Sequence, residues 1–307
     1  MGTCEHCGMM LIKKSELSYE KKENMKIAFY LQDGVEVLDF AGPMEVFAYA
    51  GFDVFTVSET KEPIVSQGIL KIVPQYSIQN SPKADILAFF GGNSEAAFSD
   101  EVVKWIKAQQ DIQYHFSVCT GAFALAKADI LDDQTATTFH NALNRLETDF
   151  PKIQVVKSVR FVDNGKVIST AGISAGIDGA LHVVAKIKGF NTARRIAYHM
   201  EYDKWIPQEG LLLSENPYKG YIDINYINDY TGIYEYTNGK SIQLYVDSKD
   251  SSLYARLDSQ DYPLFYIERD VFTDLNEDTV KFMRDDKGII TDYKIGDSVS
   301  EYFKKLN

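Results

Sequence analysis

Two cysteine contexts in this chain have a spacing that supports chemistry, and they differ in kind. Cys119 lies in Ser117-Val118-Cys119-Thr120-Gly121, between an apolar run that reads as a buried strand and an Ala-rich run that reads as a helix. A sulfur at such a corner meets the orphan amides and positive dipole end of the helix, which favour an anion. Its pKa, about 8.5 for an unperturbed thiol, is then expected to fall and leave a nucleophilic thiolate near neutral pH. Gly121 and Ala122 let the backbone turn sharply and approach a ligand closely, as in the serine elbow of hydrolases. A buried structural cysteine is the plainer alternative and stays open on local sequence alone. The second context is Cys4-Glu5-His6-Cys7-Gly8-Met9-Met10. Its Cys4, His6 and Cys7, with thioethers behind them, are donors that suit zinc or Cu(I). Three cysteines so placed make no disulfide framework, so a reducing, cytoplasmic compartment is the default.

The elements that must position Cys119 are legible as alternating strands and helices. Lys26 to Leu31 reads as a short strand, Asp33-Gly34 as a turn, and Val35 to Pro43 as the approach to a helix. Further strands are expected at Phe52 to Ser58, Ile69 to Pro74 and Ala84 to Phe90, the last ending in Gly91-Gly92. Continuous apolar strands separated by helices imply a parallel sheet covered on both faces, an α/β sandwich. In such sheets the ligand crevice lies beyond the carboxyl ends of the strands, where Gly91, Gly92 and Cys119 all fall. The segment Ser174-Ala175-Gly176-Ile177-Asp178 reads as a helix with a Ser cap whose small residues allow close packing on the sheet.

The ordered stretches Leu38 to Phe47, Phe90-Gly91-Gly92, Ser117 to Ala122, Ala136-Thr137-Thr138 and Gly172 to Asp178 resemble the motifs of the DJ-1/PfpI superfamily. They are most similar to its isonitrile hydratase branch, which also supplies the ligand-side half of some AraC-type regulators. The resemblance runs from about Met25 to Trp205. It implies a flavodoxin-like, class I glutamine amidotransferase-like sheet, a small-molecule substrate and a homodimer. It also implies that Cys119 is the nucleophile, that Asp39 is the acid facing it, and that the Gly92 and Thr120 N–H groups form an oxyanion hole. Gly91, Gly121, Thr138, His140 and Ser174 complete the expected substrate-binding set. A carboxylic acid held beside a thiolate has its pKa raised by repulsion and burial, which would keep Asp39 protonated. As a purely structural residue, Asp39 would instead cap a helix before Gly42-Pro43. Many relatives carry histidine directly after the paired threonines; here Phe139 intervenes, so His140 is not assigned as a base. The Cys-x-x-Cys at Cys4 resembles the closing half of a heavy-metal-binding motif found on metal-efflux proteins, without its opening half. Catalysis as read here needs no cofactor.

Four regions follow: a tail over 1–24, the α/β domain over 25–206, a linker over 207–221 and a small antiparallel β domain over 222–307. The last is expected as a curled, lipocalin-like half-barrel of short strands separated by turns such as Asn238-Gly239, closed by a helix from Ser298 to Lys305. It resembles the small β domain appended to some penicillin-binding-protein-like hydrolases. Its tyrosines would form an aromatic cup for a ligand, a dimer surface or, on the plainer reading, a packing module on amphipathic strands. The 32 Lys and Arg against 44 Asp and Glu give a net charge of -12, acidic in both halves. That balance argues against nucleic acid, and no apolar run has membrane-spanning length. The expected activity is hydration of an isocyanide-type carbon to an N-substituted formamide. A glyoxalase or deglycase-like reaction on reactive carbonyls, and a non-catalytic ligand, metal or redox sensor, stand as alternatives.

Overall fold

A computed structural model describes residues 2–3, 10–11, 24–92, 98–109, 112–202, 205–218, 227–236, 239–247, 252–296 and 302–306. Cys4, His6 and Cys7, the expected metal donors, lie outside the described residues.

The α/β domain is built on an eight-stranded sheet. Its centre is Tyr114–Val118, Ile86–Phe89 and Lys26–Tyr30, all parallel, continued outward through Asp53–Ser58 and Tyr76–Ser77 on one side and Val167–Thr170 on the other. Phe161–Asp163 then pairs antiparallel with Val167–Thr170. The continuous apolar runs have the expected cause: both faces are covered. Ile27, Phe29, Ile86 and Ala88 face a core shared with helices α1 (Val37–Tyr49), α5 (Ala175–Lys188) and α6 (Phe190–His199). Ala28, Tyr30, Leu87 and Phe89 face the other, shared with α2 (Asp100–Ala108), α3 (Ala122–Lys127) and α4 (Leu143–Asp149). The strand expected over Ile69 to Pro74 is not in this sheet. It forms an edge hairpin, Ile64–Ser66 with Leu70–Ile72, beside the turn at Gly34.

Helix α1 begins at Val37, so Asp39 sits in its first turn and Pro43 lies inside it. The alternative cap role for Asp39 does not hold: Glu36 is the N-cap residue and Asp39 is fully buried. Small residues on α5 do allow the close packing read from sequence. A Cβ on Gly179 would stand 2.3 Å from Thr170 Cγ2, and one on Gly42 of α1 would stand 2.7 Å from Ile177 of α5. Ser174 precedes α5 but makes no cap hydrogen bond with its side chain.

Part of the expected linker is built into the domain. Leu211–Leu212 adds a strand parallel to Phe161–Asp163, and buried Tyr218 meets His182 through its hydroxyl. His182 in turn bonds Asp163 at 2.8 Å, and Lys186 and Ser214 bind the same carboxylate at 2.8 Å. This buried network pins the chain that leaves the domain, and it holds Asp163 down to about 2 through His182 and Lys186 despite burial.

The C-terminal domain is a closed eight-stranded barrel, not a half-barrel. Two elements account for the difference. Val271–Thr273 is an additional short strand, and Tyr302–Lys305 is a strand where a helix was expected. It pairs with both Gly232–Tyr236 and Ile290–Ile295, and Phe303 stacks on Tyr293 with ring centroids 4.6 Å apart. Two open sheet edges offered it ladder partners, which outweighs local helical preference. The interior is packed by Tyr230, Tyr234, Phe272, Phe282 and Tyr293, so the aromatic residues form a core and not a cup. The barrel docks on α6. Arg194 and Arg195 place their guanidinium carbons 5.2 and 4.7 Å from the Phe265 ring centroid, and Tyr198 donates to the Asp261 carbonyl at 2.9 Å.

Candidate active site

The corner after strand Tyr114–Val118 turns directly into a short 3-10 turn and α3, with Cys119 at φ +58°. A left-handed backbone costs a non-glycine residue roughly 1–2 kcal/mol, so its neighbours must hold it there. They do so from three sides. The Cys119 N–H donates to the Ala171 carbonyl at 3.0 Å, and its carbonyl accepts from Thr138 Oγ1 at 2.6 Å. Gly121 supplies the third: a Cβ there would stand 2.3 Å from the Phe89 carbonyl oxygen, so only glycine lets the turn sit against the neighbouring strand end.

Asp39 reaches the sulfur from the first turn of α1. Its Oδ2 accepts the Gly91 N–H at 2.9 Å and its Oδ1 accepts the Ile173 N–H at 3.1 Å, while the Cys119 thiol makes a side-chain hydrogen bond to it. Gly91 is the gap between the pair. A Cβ on it would lie 2.8 Å from both Asp39 Oδ2 and Cys119 Sγ.

The electrostatics of this pair differ from the simple helix-terminus expectation. Burial pushes Asp39 up to about 6, against the stabilising N–H donors from Gly91 and Ile173. Burial, and then the Asp39 charge, push the Cys119 thiol up to about 12, although the Thr120 N–H lowers it. A free thiolate beside an ionised Asp39 is therefore not the resting state. The two groups share one proton and one negative charge, and the titration belongs to the pair. A reactive thiolate exists only when that proton moves from sulfur to Asp39.

Above the sulfur is a pocket of about 220 Å³ lined by Gly34, Glu36, Gly92, Cys119, Thr120, Phe139 and Ile173. Of the expected substrate-binding residues, Gly92 and Thr120 line it. Of the N–H groups expected as an oxyanion hole, that of Gly92 donates to Thr120 Oγ1 at 3.3 Å, and that of Thr120 lowers the thiol pKa. Gly91, Gly121 and Thr138 shape the corner beneath. His140 is exposed and packs on the Phe139 ring at 4.2 Å between centroids, and Ser174 Oγ accepts from Arg160 at 3.1 Å. Glu36, Phe139 and Ile173 are lining residues that sequence reasoning passed over. The intrusion of Phe139 after the threonines was the available signal for one of them. Gln32 was also missed; it is buried and donates to the Phe90 carbonyl at 2.8 Å, bracing the Gly91 turn.

Cys119, the facing Asp39 and the strand-end turn thus converge, and the family model for DJ-1/PfpI matches residues 25–186. The chain belongs to the DJ-1/PfpI family. It is 29% identical to isonitrile hydratase from Pseudomonas putida over 185 residues, covering 58% of this chain and 78% of that protein. It is also 23% identical to the HTH-type transcriptional regulator GbdR from Pseudomonas aeruginosa over 194 residues, spanning 53% of the regulator's length. Among solved structures, a ThiJ/PfpI family protein from Pseudomonas syringae matches with a TM-score of 0.56 at 25% identity, over 66% of this chain and 85% of that one. Drosophila melanogaster DJ-1beta matches in fold, with a TM-score of 0.53 at 19% identity over 58% of this chain and 98% of its own. The family domain therefore accounts for the α/β part, and the barrel is a separate addition.

Behind this DJ-1/PfpI site lies a support that reaches both Cys119 and Asp39. The loop 171–174 gives a carbonyl to Cys119 and an N–H to Asp39, and Ile173 within it is itself left-handed, at φ +52°. Arg160 holds the loop at both ends. Its carbonyl accepts the Ala171 N–H at 2.9 Å, and its guanidinium binds Ser174 while pairing with buried Asp178. Arg160→Gln is expected to slow iodoacetamide alkylation of Cys119 by about 10- to 100-fold, because small misplacements of a reacting pair cost rates of that size. Far-ultraviolet circular dichroism should remain native; an unchanged alkylation rate in the folded variant would remove the positioning role.

Proposed function

We propose that this protein hydrates isonitriles to N-substituted formamides. The observation that carries the proposal is the left-handed Cys119 corner facing buried Asp39 beneath a small pocket. The similarity to isonitrile hydratase supports this carbon chemistry among those the fold hosts.

The sequence of steps closes on the starting state. Transfer of the shared proton leaves the Cys119 thiolate and the Asp39 acid. The sulfur attacks the terminal carbon of R–N≡C while Asp39 protonates that carbon, giving R–N=CH–S–Cys119 and an Asp39 carboxylate. Water then adds across C=N, its oxygen to carbon and one of its protons through Asp39 to nitrogen. The resulting R–NH–CH(OH)–S–Cys119 loses its hydroxyl proton to Asp39 as the C–S bond breaks. The products are R–NH–CHO, thiolate and acid. Turning the Gly92 and Thr120 N–H groups toward the substrate would stabilise charge at the tetrahedral stage.

Regulators such as GbdR share this domain, so ligand sensing is the second reading. A homodimer and a small-molecule partner belong to the proposal, as does a cytoplasmic setting; among the described residues no helix is long and apolar enough to cross a membrane. Proton NMR of full-length protein with alkyl isonitriles, and separately with methylglyoxal, tests it. Appearance of a formamide proton with multiple turnovers is the expected result. Turnover of methylglyoxal alone, or tight isonitrile retention without product, would overturn it.

A further inference from the structure

Among the described residues that line the pocket above Cys119, one is formally charged, Glu36. Its side chain is clamped in place. Gln67 Nε2 donates to Glu36 Oε1, and Gln67 Oε1 accepts the Val37 N–H at 3.3 Å, so the edge hairpin holds the carboxylate beside the first turn of α1. Oε2 has no hydrogen-bond partner among the described residues. The charge is felt at the reaction centre, since it opposes ionisation of both Asp39 and Cys119. Asp39 lies beneath and contributes to the single negative charge of the pair, and among the described residues no Lys or Arg lines the pocket. The N-terminus of α1 supplies an opposing partial charge of about +0.5, smaller than one carboxylate. His140, packed on Phe139, is exposed.

An isonitrile that presents its terminal carbon to the sulfur must send its substituent outward. The pocket holds about 220 Å³, below the ~300–1,000 Å³ of ordinary ligand clefts, so a small substituent passes close to Glu36. We propose that Glu36 makes this site charge-selective, so that it takes isonitriles with small cationic or neutral substituents and rejects anionic ones. The Phe139 ring offers a cation a second partner through its negative face. The substrate class rests on the isonitrile reading; the charge preference of the pocket does not.

The test uses two reagents with one leaving group, aminoethyl and sulfonatoethyl methanethiosulfonate. Peptide-resolved mass spectrometry reads labelling of Cys119 in the full chain at pH 8. Rates are normalised to N-acetylcysteine amide. The cationic reagent is expected to be favoured at least tenfold, and Glu36→Gln to reduce that ratio on the order of tenfold. Glu101→Gln, at an exposed position of α2, should leave the ratio unchanged and so separates the local effect from the net charge of -12. A wild-type ratio equal to that of Glu36→Gln, or an equal fall in Glu101→Gln, would overturn the inference. Specificity constants for amino-alkyl and carboxy-alkyl isonitriles give the second arm. Labelling selectivity with no isonitrile turnover would sink the enzymatic reading and leave charge selection standing. Turnover without charge preference would do the reverse.

Discussion

Cys119→Ser is expected to lower isonitrile hydration by at least about 10⁴-fold, measured as formamide formed under saturating substrate. A hydroxyl is a far weaker acid than a thiol, and at this position burial, and then the facing carboxylate, already push the thiol up to about 12. Proton transfer to Asp39, feasible from sulfur, becomes prohibitive from oxygen. The substitution removes one polarisable atom and keeps the three contacts that hold the corner, all of them backbone atoms of Cys119 or of Gly121. The variant should therefore fold and still bind. Retention of wild-type turnover would show that water reaches the isonitrile carbon without covalent capture.

The second large effect is that of Asp39→Asn, with a fall of about 10²–10⁴-fold, the range for loss of a general acid. The pH profile carries more information than the magnitude. In the wild type, adding a second proton to the pair abolishes thiolate, so the Cys119 alkylation rate should fall as pH drops through about 6 and stay flat above it until far into the alkaline range. In Asp39→Asn the inflection near 6 disappears, and the rate should climb about tenfold per pH unit toward the thiol's own pKa. A wild-type profile rising steadily through pH 8, as for an unpaired thiol, would show that the two groups do not share a proton. The same shift bears on stability. Because the folded-state pKa of Asp39 is raised, its favourable contribution is present below the unfolded value of 3.8 and is lost as pH rises through about 6. At pH 7 and above the site thus destabilises the fold on the order of 3 kcal/mol. Asn recovers only part of this, because both carboxylate oxygens accept N–H groups and an amide has one acceptor oxygen.

Much of this arrangement was legible along the chain. The strand runs 26–31 and 84–90, the small residues of α5, and the glycines at 91 and 121 announce a doubly covered parallel sheet with tight turns at its strand ends. Each depends on neighbours within one element, where periodicity and steric demand act directly. The barrel strands at 232–236 and 279–284 were equally local. Its closure was not, because Tyr302–Lys305 becomes a strand only when two distant edges present ladder partners.

Sequence alone determined the sheet, the cysteine corner and the acidic residue expected to face it. Tertiary structure decided the rest. The Ile173 N–H that fixes Asp39 lies 134 residues away along the chain, and Glu36, Phe139 and Ile173 meet over the sulfur only because three separate loops converge there. It also decided the charge state. A local argument from helix termini predicted a depressed thiol pKa, whereas desolvation and a facing carboxylate, both consequences of long-range packing, raise it and make the proton common property of Cys119 and Asp39.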